Sequence, residues 1–139
     1  MTVFLDSNVF IYAIGSKHPL REPCQSTLKK VADGSLKATT STEVVQEVIH
    51  VLRRRDRHDE AIRLASAILD LFPDLLPVTR EVMLRSVATL RDKPGLSTRD
   101  SIHAATMLAH GLTTIVSADR HFDSLDGLSR IDPSDAARG

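Results

Sequence analysis

Short apolar runs, each separated from the next by a helix-like stretch, limit this chain's fold more than any other feature. Residues 2–6, Lys37 to Thr39, Leu75 to Val78, Thr113 to Val116 and Ser129 to Ile131 read as strands. Between them lie helical patterns over Ser7 to Ile14, Glu22 to Ala32, Ser41 to Arg55, Asp59 to Phe72, Thr79 to Leu90 and Thr98 to His110. Gly15, Gly34, Pro94-Gly95 and Gly111 punctuate them, and Pro23 suits a first helical turn. Strands that alternate with helices pair in parallel and are covered on both faces. The expected fold is α/β, with a central parallel sheet of four to five short strands. Pro77 confines the run at Leu75 to Val78 to an edge or a strand end.

A chain of 139 residues suits one core. We expect a single domain over residues 1–132, with Pro133 to Gly139 as a frayed tail. No apolar run approaches the roughly 20 residues that span a bilayer, and Met1 to Asp6 does not read as a secretory signal. The lone Cys24 excludes an internal disulfide and reads as a small buried residue, so a cytoplasmic protein is expected. The 18 basic and 18 acidic residues cancel, so any nucleic-acid binding must come from local segregation of charge.

Four acids stand beside these elements. Asp6 ends the first strand and Asp119 follows the strand at Thr113 to Val116, while Glu47 and Asp100 lie near helix starts. Each has an ordinary explanation. Asp6 and Asp119 can cap helices, and Asp100 suits the positive end of a helix dipole. Thr40-Ser41-Thr42-Glu43 matches a capping box, which assigns Glu43 a structural role and leaves Glu47, one turn on, free at the border of the apolar face. His103 shares the helix side of Asp100 and reads as a packing or hydrogen-bonding residue rather than a ligand.

Taken together the segments are more specific. Asp6-Ser7-Asn8 after a strand, Thr40-Ser41 to Glu47, Arg99-Asp100-Ser101-Ile102-His103-Ala104-Ala105 and Ser117-Ala118-Asp119-Arg120-His121-Phe122-Asp123 resemble, in order and spacing, the four motifs of the PIN-domain ribonucleases. The resemblance runs from residue 3 to about 132 and is nearest to the VapC toxins of toxin–antitoxin pairs. It implies a PIN-like three-layer α/β/α sandwich and an acidic quartet of Asp6, Glu47, Asp100 and Asp119. Asn8, Ser117 and Asp123 would support it. It also implies endonucleolytic RNA cleavage leaving a 5′-phosphate and a 3′-hydroxyl, inhibition of translation, a homodimer and a cognate antitoxin. An apolar groove around Phe10, Ile11, Ile14 and the helix carrying Leu64 to Leu71 is the expected antitoxin seat.

Carboxylates gathered in one cleft repel, at about 4 kcal/mol per pair for a separation near 4 Å and an effective dielectric near 20. A hard divalent cation, Mg²⁺ or Mn²⁺, relieves this, whereas zinc would favour cysteine and histidine. Asp6, Asp100 and Asp119 are assigned to the metal, with Glu47 holding the attacking water or helping to deprotonate it. RNA would meet Arg53, Arg54, Arg55 and Arg57 at the end of Glu47's helix, and Arg99 and Arg120 beside two of the acids. Only 4% of residues are aromatic, so few stacking platforms are expected.

Two other functions compete. A phosphatase or response-regulator-like enzyme needs an acid at the mid-chain strand end, where this chain has Pro77-Val78-Thr79. A non-catalytic RNA- or protein-binding module would keep the fold without the cleavage.

Overall fold

The computed structural model describes all residues 1–139. Strand β1 (Val3–Leu5) leads into α1 (Ser7–Ile14) and α2 (Arg21–Ala32), then β2 (Ala38–Thr39), α3 (Thr42–Arg54) and α4 (His58–Leu71). α5 (Arg80–Asp92) and α6 (Thr98–Ala109) precede β3 (Thr114–Val116). A 3-10 turn (Arg120–Ser124), β4 (Ser129–Ile131) and α7 (Pro133–Arg138) complete the chain.

The four strands form one parallel sheet in the order β2-β1-β3-β4, flanked by seven helices as the α/β/α sandwich requires. Every residue of β1 and β3 is buried, as central strands covered on both faces must be. Val3, Phe4, Leu5, Ile115 and Val116 share a core with Phe10, Val48, Leu52, Ile68 and Phe122. α5 packs on α6 over a smaller cluster of Val82, Ile102 and Ala105. No helix is long and apolar enough to cross a membrane.

The strand order places the site. From β1 the chain goes to β2 on one side and returns as β3 on the other, so its direction of winding reverses between β1 and β3. In open parallel sheets the crevice beyond the strand ends at such a reversal is where ligands bind. The β1–β3 register pairs Leu5 with Val116, and Asp6 N–H continues it to Val116 O at 3.1 Å. Asp6 and Ser117 therefore leave the sheet side by side.

Three expectations need correction. The run at Leu75 to Val78 makes only a single bridge, Leu76 to Ser41, because Pro77 has no N–H for a ladder, and the sheet has four strands. The tail is not frayed. Asp132 accepts the Ser134 N–H as an N-cap, Pro133 occupies the first helical turn, and the resulting α7 packs against α2. Lastly, of the residues expected to line an apolar groove, Phe10 and Leu64 are buried in the core, while Ile11, Ile14 and Leu71 are half-buried. The apolar side chains that α4 turns outward are Ile62 and Leu69.

Buried Pro133 and the partly buried Ala136 make α7 a structural element. Deleting residues 133–139 is expected to destabilise the protein by about 2 kcal/mol through lost apolar burial. Thermal unfolding of the truncated chain checks this, and an unchanged melting temperature would mean that α7 contributes nothing.

Candidate active site

Asp6 is held at both oxygens. Oδ1 accepts the Ser7 N–H at 2.8 Å, as an N-cap of α1. Oδ2 accepts the Ser117 hydroxyl at 2.6 Å and the Asn8 amide at 3.2 Å. The same Asn8 amide reaches Ser117 Oγ at 3.1 Å, and Asn8 Oδ1 accepts the Ala118 N–H at 3.2 Å. Capping and cleft-lining are thus compatible roles for one carboxylate. The strand ends β1 and β3 are stitched together by these side chains.

Glu47 comes to the same place from α3. Its helix starts at Ser41, whose hydroxyl accepts the Val44 N–H at 3.2 Å. The expected capping box is therefore absent, because the neighbouring Thr40 hydroxyl donates to Leu5 O at 2.8 Å and Glu43 sits one position too early to close it. Glu43 instead faces Arg99 at 3.6 Å. Its assignment away from the cleft stands, for a different reason. Glu47 points inward and meets the fully buried His103, with Oε1 3.0 Å from Nε2. That nitrogen is also 3.7 Å from Asp6 Oδ1. Facing two carboxylate oxygens, His103 Nε2 carries the hydrogen and has no lone pair for a cation.

Asp100 and Asp119 complete the cluster. Ser97 caps α6 by accepting the Asp100 N–H at 3.1 Å, leaving the Asp100 carboxylate in the first turn. Asp119 caps the 3-10 turn through the His121 N–H, and its own N–H donates to Ser117 Oγ at 3.0 Å. The ligand atoms of Asp100 and Asp119 lie within 4.8 Å of each other, as do those of Asp6 and Glu47.

Residues 3–128 match the PIN domain. This chain belongs to the PIN-domain family. Similar members include Ribonuclease VapC7 of Mycobacterium tuberculosis, 37% identical over 136 residues that cover 97% of this chain and 93% of the relative. Ribonuclease VapC13 of the same organism is 34% identical over 133 residues, covering 93% and 98%. Among solved structures, VapBC2 from Rickettsia felis bound to a promoter DNA fragment superposes with a TM-score of 0.72 at 18% identity, covering 95% of this chain and 98% of the other. VapC20 of Mycobacterium tuberculosis, described as a sarcin–ricin loop cleaving toxin, gives 0.73 at 19% identity over 88% and 93%.

The electrostatics of this PIN-domain cleft show surplus negative charge. Burial, then the charges of Asp6 and Asp119, push the Asp100 carboxyl up to about 6. Burial also raises Asp6, against the opposing pull of His103 and Ser117. At Glu47 burial acts upward too, but hydrogen bonds from His103 and Ser7 outweigh it and hold this carboxyl below its ordinary value. Burial would depress His103, yet the hydrogen bond to Glu47 and the charge of Asp6 raise it. Two groups of possible ligand atoms result, Asp6, Glu47 and His103 in one and Asp100, Asp119 and His121 in the other. Their four carboxylates, with Asp100 raised by burial and by its neighbours, fit a hard divalent cation.

Not every residue expected in the site reaches it. Asp123 pairs with Arg130 at 2.9 and 3.3 Å, and Arg130 in turn donates to Ser117 O at 3.0 Å, so Asp123 acts on the site only at second hand. Arg55 lines a groove that begins at Ser7 and Asn8, whereas Arg53 and Arg54 face a separate depression with His50. Arg99 is tied to Glu43, and Arg120 is exposed beside Asp119. Arg130 escaped notice in the sequence because its partners lie seven and thirteen residues away, at no helical spacing. Cys24 is buried, and burial with the charge of Asp132 pushes its thiol up to about 12, as an inert core residue requires.

Proposed function

We propose that this protein is a Mg²⁺- or Mn²⁺-dependent endoribonuclease, the toxin of a toxin–antitoxin pair, that cuts RNA and so inhibits translation. The supporting observation is that Asp6 lies with Glu47 and Asp100 with Asp119, the two pairs close enough for the charge of Asp6 to act on Asp100, in a chain whose relatives at 31–37% identity are named as VapC ribonucleases. Its action lies in the cytoplasm, with its RNA.

Asp6, Asp100 and Asp119 are the residues to hold the cation. Such an ion activates water and offsets charge building on a phosphodiester. Asp6 is preorganised for this, since Ser7, Asn8 and Ser117 fix both of its oxygens. Glu47 stays ionised at neutral pH. Its lowered pKa makes it a weak base, so it is better suited to orienting the attacking water than to keeping that water's proton. His103 sets the direction in which the Glu47 carboxylate points.

Two surfaces suit the partners. Met83, Leu84 and Val87 on α5, with Leu108 on α6, expose an apolar face that fits a second copy of the chain. Ile62 and Leu69 give α4 an outward apolar strip for the antitoxin.

Single-stranded and folded RNAs incubated with the protein in Mg²⁺, in Mn²⁺ and in EDTA test the function, with p-nitrophenyl phosphate as a comparator. Internal RNA cuts that need the cation are expected. Turnover of the phosphate ester without RNA cleavage would favour a phosphatase, and neither activity would leave a binding module. A second expected result concerns the site alone. Mn²⁺ should raise the melting temperature more at pH 7.5 than at pH 5, because Asp100 takes up a competing proton as pH falls through about 6. Equal shifts at both pH values would exclude Asp100 from the cation site.

A further inference from the structure

The groove that starts at Ser7 and Asn8 differs in charge from the acidic cleft beside it. It has a volume of about 320 Å³ and runs along one face of α1, through Ile11, Tyr12 and Gly15, against Val51 and Arg55 at the end of α3. No acidic residue lines it, while Lys17, His18, Arg55 and Arg57 do. Arg57 is engaged by Glu60, but Lys17 and Arg55 are exposed and have no carboxylate partner. A larger trough of about 680 Å³ continues from Lys17 and His18 past Arg21.

At the far end, the rings of Tyr12 and His18 stack, with centroids 4.4 Å apart and planes 25° from parallel. His18 is exposed, and its ring is fixed because Nδ1 accepts the Leu20 N–H at 3.1 Å. Tyr12 is the only tyrosine, there is no tryptophan, and all four phenylalanines are buried. The pair is therefore the only stack built on a tyrosine, tryptophan or phenylalanine ring that can meet solvent, and it lies in the basic groove leading from the carboxylates. Gly15 closes α1 at the groove, where a Cβ would sit 3.1 Å from Ile11 O.

We propose that this groove seats the unpaired RNA strand flanking the scissile phosphate, with one base stacked on the Tyr12–His18 pair and adjacent phosphates on Lys17 and Arg55. The assignment rests on the ribonuclease function proposed above and specifies its substrate as single-stranded at the cut. The chemistry is complementary. A ring fixed in place offers a π-face to any base, and cations free of partners answer phosphates that the acidic cleft repels. A groove so rich in cations and poor in apolar side chains suits a polyanion better than an amphipathic helix.

The test uses the full chain and eight-nucleotide single-stranded RNAs carrying 2-aminopurine at successive positions, with binding read in EDTA and cleavage in Mg²⁺. At one position, binding to the wild type should quench the 2-aminopurine. His18→Ala should abolish that quenching and weaken binding about tenfold, and His18→Tyr should restore both. Lys17→Gln and Arg55→Gln should each flatten the dependence of log Kd on log salt by about 0.7, a change that His18→Ala should not produce. His18 is exposed, so an unchanged melting temperature in His18→Ala shows that the fold is intact.

If the wild type cuts RNA while all these variants bind and cut as it does, the groove assignment is wrong and the ribonuclease function stands. If the variants lose a protein partner instead, with RNA handling unchanged, the groove is a protein seat and the proposal is overturned. If no RNA is cut by the wild type with either cation, the underlying function has failed first.

Discussion

Asp100→Asn is expected to reduce RNA cleavage at least about 100-fold while making the metal-free protein more stable at neutral pH. The two effects share one cause. Burial and the charges of Asp6 and Asp119 hold the Asp100 carboxyl at about 6, above its ordinary value of 3.8. A group raised in this way contributes stability below about pH 4 and loses it as pH rises through about 6. Asparagine keeps the shape of the side chain and removes the charge that costs stability above that point. The residue is partly exposed and sits favourably on the α6 dipole, so the gain is only on the order of 1 kcal/mol, or about 3 °C in melting temperature at pH 7.5. At pH 4 the gain should vanish. The loss of activity reflects one fewer charged ligand, worth about 2.7 kcal/mol of barrier for a 100-fold effect. A variant that is both inactive and less stable would show that Asp100 serves the fold and not a cation.

His103→Ala should produce the largest loss of stability among the polar residues of the site, about 3 kcal/mol by urea denaturation at pH 6. The side chain is completely buried, and its Nε2 lies 3.0 Å from Glu47 and 3.7 Å from Asp6. Removing it leaves two carboxylates facing each other without their shared donor, and a cavity beside Phe4, whose ring lies 5.9 Å away. The pH dependence has the same sign as that of Asp100 but lies in a higher window. The raised His103 contributes fully below its unfolded value of 6.5 and loses its contribution as pH rises through the higher folded value. His103→Gln retains a donor, so it should recover part of the stability and part of the Mn²⁺ affinity. Loss of the positioning group should weaken that affinity about 10- to 100-fold in the alanine variant. Unchanged Mn²⁺ affinity in a folded His103→Ala protein would show that the histidine only fills space.

The helices were largely legible because their signals are local. Apolar spacing, Gly15 and Ser97 mark α1 and α6 within a few residues of where they end or begin. α7 carried a signal as well, Asp132 followed by Pro133, which is the pattern of a helix start and outweighs proximity to the terminus. Ser41 and Thr40 show where local reading stops. Two hydroxyls stand side by side, either able to cap α3, and the choice falls to Leu5 O, thirty-five residues from Thr40, which takes the Thr40 hydroxyl. The acids were legible as a family pattern, but their common cleft depends on the strand order that brings β1 beside β3. His103 and Glu47 lie 56 residues apart and meet only through α6 and α3. Tyr12 and His18 belong to a helix and the loop after it, so no periodicity links their rings.

The central claim is that the carboxylates direct water, with a divalent cation, at an RNA phosphodiester. The chemistry of the cut ends tests it most directly. A defined RNA cleaved by the wild type in Mg²⁺ should yield 5′-phosphate and 3′-hydroxyl termini, and a 2′-O-methyl group at the cut nucleotide should not block the reaction. Cleavage that persists in EDTA, requires the 2′-hydroxyl and leaves a 2′,3′-cyclic phosphate would contradict it, because the nucleophile would then be the RNA itself.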